Sequence, residues 1–482
     1  MLSEFAYENK PHEECGVFGI CSPNGSVNVA YASYNALLAQ QHRGQESCGI
    51  VVNDRGVMAY CKEMGLVSEA FNKKVLDSLP GQMACAHVRY STSGASVREN
   101  AQPLVMRYVK GTLAIAHNGN LTNAYELREE LVKKGCIFQT TIDSEVIAYL
   151  IAQERVNAPS IEEAVRRALP RIQGSYSLVV MSPQKLVAAR DPNGFRPLVI
   201  GKMDENTYVF ASETCALDAC GASFVRDVEP GEIVMADKNG LRVVQEPTNQ
   251  RKSLCVFEYI YFARPDSIID GINVYEARKC AGKLLWEQKP VDADVVVGVP
   301  ESGIDAAIGY AEASGIPYEK GIVKNTYIGR TFIKPTQGER EKSVRLKLNL
   351  IPGAFRGKRV VLLDDSIVRG TTCAHIVSML RDAGAKEVHL RISSPPFMWP
   401  CYYGTDIPDK DSLIACRHSV EEIGKMSYAD SIDYLHVENL APMLGIQSGF
   451  CDACFTGHYP APIPKVSMAD KKCDYSMPIQ RI

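Results

Sequence analysis

The chain has 482 residues, 46% of them hydrophobic and 23% charged, with a formal net charge of −3. That length exceeds one hydrophobic core and predicts two or three domains of ordinary globular composition. An isoelectric point near 6.3 argues against a nucleic-acid binder, and no apolar run is long enough to span a bilayer.

Residues 1–14 are acidic and polar and do not form a secretory signal, so a cytoplasmic protein is expected. The 16 cysteines are scattered, which favours reduced thiols or metal ligands over a disulfide framework. Ten of them (Cys21, Cys48, Cys61, Cys85, Cys136, Cys215, Cys220, Cys280, Cys373 and Cys416) fall in apolar or mixed segments and read as packing residues.

The first predicted strand, Cys15-Gly-Val-Phe-Gly-Ile, begins on a cysteine. Inside a chain such a thiol is ordinary. As a new N-terminus it would carry an α-amino group of pKa about 7.7–8.0, able to act as its base. That requires removal of residues 1–14. A helix follows over Tyr31 to Gln41, broken by Gln41-His42-Arg43-Gly44-Gln45-Glu46-Ser47, and Gly49-Ile-Val-Val returns as strand. Met83 to Arg89 reads as a strand running into Tyr90-Ser91-Thr92. An arginine leaving a strand beside hydroxyls suits a carboxylate ligand or a surface ion pair. Thr112 to Ala116 is a strand before His117-Asn118-Gly119-Asn120. Asn-Gly is a strong hairpin signal. The same residues could offer a side-chain amide and a backbone N–H to an oxyanion. Asp143, before a helix at Val146 to Gln153, is either a helix cap or an acceptor for an α-ammonium. Gly174 to Met181 supplies a core strand.

Taken together, these strings, with Asp191-Pro-Asn-Gly-Phe-Arg196-Pro-Leu and Ala211-Ser-Glu213-Thr, resemble the class II, N-terminal-nucleophile glutamine amidotransferases. The resemblance implies an αββα sandwich. It implies Cys15 as nucleophile, Asn118 and Gly119 as oxyanion donors, Arg89 and Thr92 on the glutamine carboxylate, and Asp143 on its ammonium.

The polar stretch Gln245 to Ser253 is the predicted linker. Beyond it, strands and helices alternate, the signature of a parallel sheet. Asp294-Val-Val-Val-Gly-Val-Pro300-Glu301-Ser302-Gly303 is strand then loop, with a helix over Ile304 to Ala313. Lys324 to Lys347 is a charged insertion with the character of a lid or a solvated loop. Val360-Val-Leu-Leu-Asp364-Asp365-Ser366-Ile-Val-Arg369-Gly370-Thr371-Thr372 is a buried strand, two carboxylates at its carboxyl end, and a glycine loop entering a helix. Ligands of open α/β sheets bind at that end, where the helix N-terminus offers N–H groups to a phosphate. In strand geometry Asp364 and Asp365 face opposite sides, one toward ribose or hydrated Mg²⁺, the other bracing the loop. Finally, Cys451-Asp-Ala-Cys454 can give two ligands to one metal or form a redox pair.

The loop from Asp364 to Thr372 resembles the 5-phosphoribosyl 1-pyrophosphate (PRPP) loop of type I phosphoribosyltransferases. The two halves together resemble the glutamine PRPP amidotransferases, over roughly Cys15 to Gly457. This implies PRPP contacts from Asp364, Asp365, Ser366, Arg369, Gly370, Thr371 and Thr372. Mg²⁺ would sit near Ser302, Asp364 and Asp365, and Tyr327 would line an ammonia channel under the lid, where Thr326 replaces an expected basic residue. One branch of the family carries a cleaved propeptide and a [4Fe–4S] cluster, with ligands matching Cys255, Cys401, Cys451 and Cys454; four thiolates also suit Zn²⁺.

The implied organisation is a propeptide (1–14), a glutamine amidotransferase domain (15–250), a phosphoribosyltransferase domain (251–457) and a tail (458–482). The implied reaction converts PRPP and glutamine to 5-phosphoribosylamine, glutamate and pyrophosphate, the first committed step of purine synthesis. Purine nucleotides are the implied inhibitors, and a homotetramer that meets neither nucleic acid nor membrane is the implied state. Two other readings stand beside it. A hexosamine-forming class II amidotransferase is opposed by the Asp364 loop, and a non-enzymatic PRPP-sensing regulator is opposed by Cys15.

Overall fold

The computed structural model describes residues 15–90, 94–248, 251–325, 348–407 and 409–465. Thr92, Tyr327, the proposed propeptide, most of the lid and residues 466–482 lie outside them.

The first half contains strands β1 (Gly16–Cys21), β2 (Ser47–Asp54), β3 (Val57–Met64), β4 (Met83–Arg89), β5 (Leu104–Tyr108), β6 (Gly111–Leu121), β7 (Gly174–Met181), β8 (Leu186–Arg190), β9 (Val199–Lys202), β10 (Tyr208–Ala211), β11 (Ser223–Asp227), β12 (Ile233–Asp237) and β13 (Gly240–Gln245). They pair antiparallel into a seven-stranded sheet, β11-β9-β10-β1-β4-β2-β3, and a six-stranded sheet, β13-β12-β8-β7-β6-β5. The sheets share an apolar layer that includes Val17, Cys85, Ala116, Val179 and Phe210. Each outer face is covered by helix: Val29–Ala39 on the first sheet, Ser144–Asn157 and Ile161–Ala168 on the second. The result is an αββα sandwich. With both faces covered, β1, β4 and β7 are buried at every position, which is why they read as apolar runs rather than alternating strands.

One local reading is corrected. The strand predicted to stop at Ala116 continues to Leu121, and Asn118-Gly119 forms no hairpin. The two residues pair instead with Ser177 and Tyr176 of β7. Tertiary pairing overrides the local turn signal.

The second half begins with β14 (Leu254–Cys255) and a π-helical turn at Glu258–Phe262. It continues through β15 (Ile268–Ile269), β16 (Ile272–Asn273), β17 (Val295–Gly298), β18 (Ile322–Lys324), β19 (Leu348–Leu350), β20 (Arg359–Asp364), β21 (Glu387–Ile392), β22 (Ser431–Tyr434) and β23 (Phe450–Cys451). Its core is a parallel sheet, β17-β20-β21-β22. Val361 and Leu363 pack toward helices Val274–Gln288 and Ser302–Ser314, while Val360 and Leu362 pack toward Thr371–Asp382 and Val420–Met426. β14 pairs parallel with β23, so the start of this half is stitched to its end.

Candidate active sites

In the first half, Cys15 sits at the mouth of β1, 7% exposed. Its carbonyl accepts a hydrogen bond from Arg43 Nε at 3.0 Å, and its thiol lies 3.4 Å from the Tyr90 carbonyl. Arg89 ends β4, two strand positions after His87, facing the space between the sheets. Burial lowers the pKa of its guanidinium, while the Cys15 thiol, Glu46 and Asp143 around it act the other way. Gly44 lies so close that a Cβ there would meet the Arg89 backbone at 2.7 Å. The Gln41–Ser47 string thus forms the wall behind Arg89.

Asp143 stands at the N-cap position of its helix, yet its side chain makes no capping hydrogen bond. Its carboxylate accepts from the Leu121 amide at 3.0 Å and lies 3.5 Å from His117 Nδ1. Burial alone would raise its pKa; His117 and the Leu121 and Ser144 amides outweigh that and hold the carboxyl below its ordinary value. Of the two readings of Asp143, the cap is therefore not made.

Asn118 is 1% exposed, and its Nδ2 has no hydrogen-bond partner among the described residues. A buried amide donor without a partner costs about 1–3 kcal/mol unless a ligand takes it up. Gly119 has φ +145°, and a Cβ there would lie 2.2 Å from the Ser175 carbonyl. Only glycine fits this backbone, which presents an N–H next to the Asn118 amide. The arrangement offers a buried thiol, two oxyanion donors, a cation for a carboxylate and an anion for an ammonium.

In the second half, Asp364 ends β20 and Asp365 follows it, both buried. Asp365 braces the loop: its carboxylate takes the Ser302 hydroxyl in a short hydrogen bond and the Ser366 hydroxyl at 2.5 Å. Asp364 Oδ1 accepts the Asp365 amide at 3.0 Å. Arg369 is exposed, and Gly370, at φ +85°, turns the chain into helix Thr371–Asp382. Ser302 opens the neighbouring helix, so two helix N-termini meet at the carboxyl end of the sheet.

Three charged residues near the seam between the halves received no role from the motif strings. Arg278 donates to the carbonyls of Tyr259 (2.8 Å), Tyr261 (3.1 Å) and Ala263 (2.7 Å) and lies 3.5 Å from Asp305. Glu258, fully buried, takes Arg43 through both oxygens at 2.8 and 2.9 Å, with Arg196 at 3.4 Å. Glu213 takes Arg43 at 2.6 Å and His42 at 2.8 Å. Burial opposes the charge on Glu258 and Glu213, but these cations hold both carboxyls below their ordinary values. An isolated carboxylate in Val256-Phe-Glu258-Tyr-Ile-Tyr-Phe was the available sequence signal, because a charge in an apolar run requires a partner. A second buried pair, Arg190–Asp270 at 3.0 Å, joins the same two halves.

Cys255, Cys401, Cys451 and Cys454 converge although they are remote in sequence. Cys255 is in register with Cys451 across β14 and β23. Burial, then the neighbouring Cys401, Cys255 and Cys451, push the Cys454 thiol well above its ordinary value; burial pushes Cys451 up to about 12. Among the described residues, no three His, Cys, Asp or Glu side chains are spaced to hold a single metal ion. Of the cysteines read as packing residues, Cys21, Cys48, Cys85, Cys215, Cys220 and Cys373 are buried; Cys61, Cys136, Cys280 and Cys416 are half-buried.

A family model for a glutamine amidotransferase domain matches residues 87–219. The amidophosphoribosyltransferase of Bacillus subtilis (strain 168) is 49% identical over 469 residues, 96% of this chain and 97% of the relative. That of Archaeoglobus fulgidus is 49% identical over 453 residues, 93% of this chain and 98% of the relative. The solved structure of glutamine PRPP amidotransferase from B. subtilis, complexed with ADP and GMP, superposes with a TM-score of 0.87 at 48% identity, covering 94% of this chain and 99% of that one.

Proposed function

The chain belongs to the amidophosphoribosyltransferase family, and from that premise we propose how its residues divide the reaction. The enzyme aminates PRPP with the amide nitrogen of glutamine, giving 5-phosphoribosylamine, glutamate and pyrophosphate, the first step of purine biosynthesis. The observation that carries the division of labour is a buried thiol and a buried, unpartnered amide donor in one sandwich, joined in the same chain to a carboxylate loop at a parallel-strand end.

In this reading, removal of residues 1–14 frees the Cys15 amine to take the thiol proton. The thiolate attacks the glutamine carboxamide, whose oxyanion is met by Asn118 Nδ2 and the Gly119 N–H. Arg89 and Thr92 hold the substrate carboxylate and Asp143 its ammonium. Ammonia leaves, and water cleaves the thioester to glutamate. At the second site ammonia displaces pyrophosphate from C1 of the ribose. Asp364 faces the sugar hydroxyls, while Asp365 fixes the loop through Ser302 and Ser366. Arg369, Gly370, Thr371 and Thr372 give the 5-phosphate a cation, backbone N–H groups and hydroxyls. Tyr327, in the lid, lines the ammonia path.

Two groups fit residues present here. Mg²⁺ would be held near Asp364, Asp365 and Ser302, whose carboxylate and hydroxyl oxygens are the hard donors it takes, and it would neutralise pyrophosphate. A [4Fe–4S] cluster would be held by Cys255, Cys401, Cys451 and Cys454. The convergence of these four thiols around Cys454 is what supports this reading. The cluster would pin the chain's end to the start of the transferase half. Purine nucleotides are the proposed inhibitors, in line with the ADP and GMP bound by the B. subtilis relative. We extend the reading to a cytoplasmic homotetramer; no helix among the described residues is long and apolar enough to cross a membrane.

Glutamate release from glutamine, assayed anaerobically with and without PRPP and Mg²⁺, tests the proposal. Strong stimulation by PRPP is expected. Release indifferent to PRPP would leave a glutaminase with a different acceptor.

A further inference from the structure

The oxyanion strand does not stand on its own half of the molecule. Asn120, the residue after Gly119, donates its Nδ2 to the Tyr402 carbonyl at 2.9 Å. Its partner across β6 and β7 is Ser175, whose hydroxyl donates to the Tyr403 carbonyl at 2.7 Å and accepts the Asn120 amide at 3.0 Å. Arg196 donates to the same Tyr403 carbonyl at 2.6 Å. The Ser175 carbonyl is also the atom that a Cβ on Gly119 would strike. Ser175 therefore meets the oxyanion strand through both its hydroxyl and its carbonyl.

The loop that supplies these carbonyls belongs to the second half and is itself fixed from several directions. The Tyr403 ring stacks on Phe195 at 4.2 Å, and its hydroxyl donates to the Ala461 carbonyl at 2.5 Å. Tyr459 donates to the Pro400 carbonyl at 2.6 Å. The Cys401 sulfur accepts the Tyr403 amide at 3.4 Å. Asn120, Ser175, Arg196 and Tyr403 are all buried, so water offers these groups no substitute partners.

Donors to a developing oxyanion act through their fixed position, and a misplacement of about 1 Å can cost about 10²-fold in rate. We propose that Asn120 and Ser175 are positioning residues for glutamine hydrolysis, held by the Tyr402 and Tyr403 carbonyls so that Asn118 and Gly119 stand ready for the oxyanion. The inference rests on the reading of Asn118 and Gly119 as oxyanion donors. It makes the glutamine site incomplete without the cysteine-bearing loop of the other half.

The test uses full-length, processed protein carrying Asn120→Ala, Ser175→Ala, or both. The expected result is a fall of about 10- to 100-fold in glutamine-dependent kcat, with the KM for glutamine within about twofold and ammonia-dependent phosphoribosylamine formation unchanged. Because both residues act through one loop, the double variant should cost little more than the worse single one. Ser175→Ala, the smaller change, keeps the test open if Asn120→Ala fails to fold by circular dichroism. Unchanged kcat in the folded variants would overturn the proposal. So would a rise in KM alone, or a parallel loss of the ammonia reaction, which marks a merely structural role. Absence of glutamine hydrolysis in the unaltered protein would instead overturn the parent reading.

Discussion

The two sites differ in how finished they are. The proposed glutamine site is built inside a sandwich: Arg89, Asn118 and Asp143 are buried, and the neighbours of Arg89 and Asp143 come from several separate segments. The proposed sugar-phosphate site is half made. Its carboxylates are buried and braced, but Arg369 is exposed and Gly370 to Thr372 are only partly covered. A site finished in advance spends its residues on the transition state, whereas a half-made one spends them on capturing substrate. Changes in the first should therefore strike kcat, and changes in the second should strike KM.

The sharpest way to break this contrast is Cys15→Ala. Glutamine-dependent activity should fall by about 10⁴-fold or more, while ammonia-dependent synthesis persists in an assay with ammonium salt; joint loss would mean the sites are not separable. Asn118→Ala should lower glutamine kcat by about 10²–10³-fold with little change in KM, as read from initial rates. Glu258→Ala leaves Arg43 short of its main counter-charge and should destabilise the protein by about 3–5 kcal/mol, measured as a lowered urea midpoint. In the half-made site, Arg369→Ala should raise the KM for PRPP about tenfold, one or two hydrogen bonds' worth. Glutamine kcat at saturating PRPP should hold.

The smallest effect is one of pH. Burial pushes the His87 imidazole down to about 3, so it stays neutral in the fold. The unfolded chain binds that proton below about pH 6.5, so stability falls as pH drops from 6.5 toward 3, by at most about 1.4 kcal/mol per pH unit. Asp191, raised to about 6 by burial, contributes the opposite slope over the window from 3.8 to 6. A comparison of urea midpoints for His87→Gln and the parent isolates the histidine, and the variant should gain stability relative to the parent as pH falls from 6.5 toward 3.

The parallel sheet and its ligand-binding end were legible in the sequence because Val360 to Asp365 is a local signal: apolar run, acid pair, glycine, helix. The sandwich was legible from its motif strings, Cys15-Gly-Val-Phe-Gly and His117-Asn-Gly-Asn among them. Asn118-Gly119 misleads as a hairpin because nothing local reports the ladder with β7. The partners of Arg43, Glu258, Arg278 and Ser175 stayed silent for the same reason. Each matters through a partner far along the chain, Glu258 lying 215 positions from Arg43.

The seam between the halves bears on engineering. Arg43 and Arg190 belong to the first half, and their counter-ions Glu258 and Asp270 to the second, with side chains no more than 3% exposed. An amidotransferase half excised and grafted onto a foreign acceptor domain would arrive with Arg43 left to Glu213 alone and Arg190 without its carboxylate partner, on a surface shaped to bury both. Such chimeras should misfold or precipitate unless the graft also carries the strip from Glu258 to Asp270. The natural unit of exchange is then the first half plus that strip, with its cut site falling inside the second domain rather than at the linker.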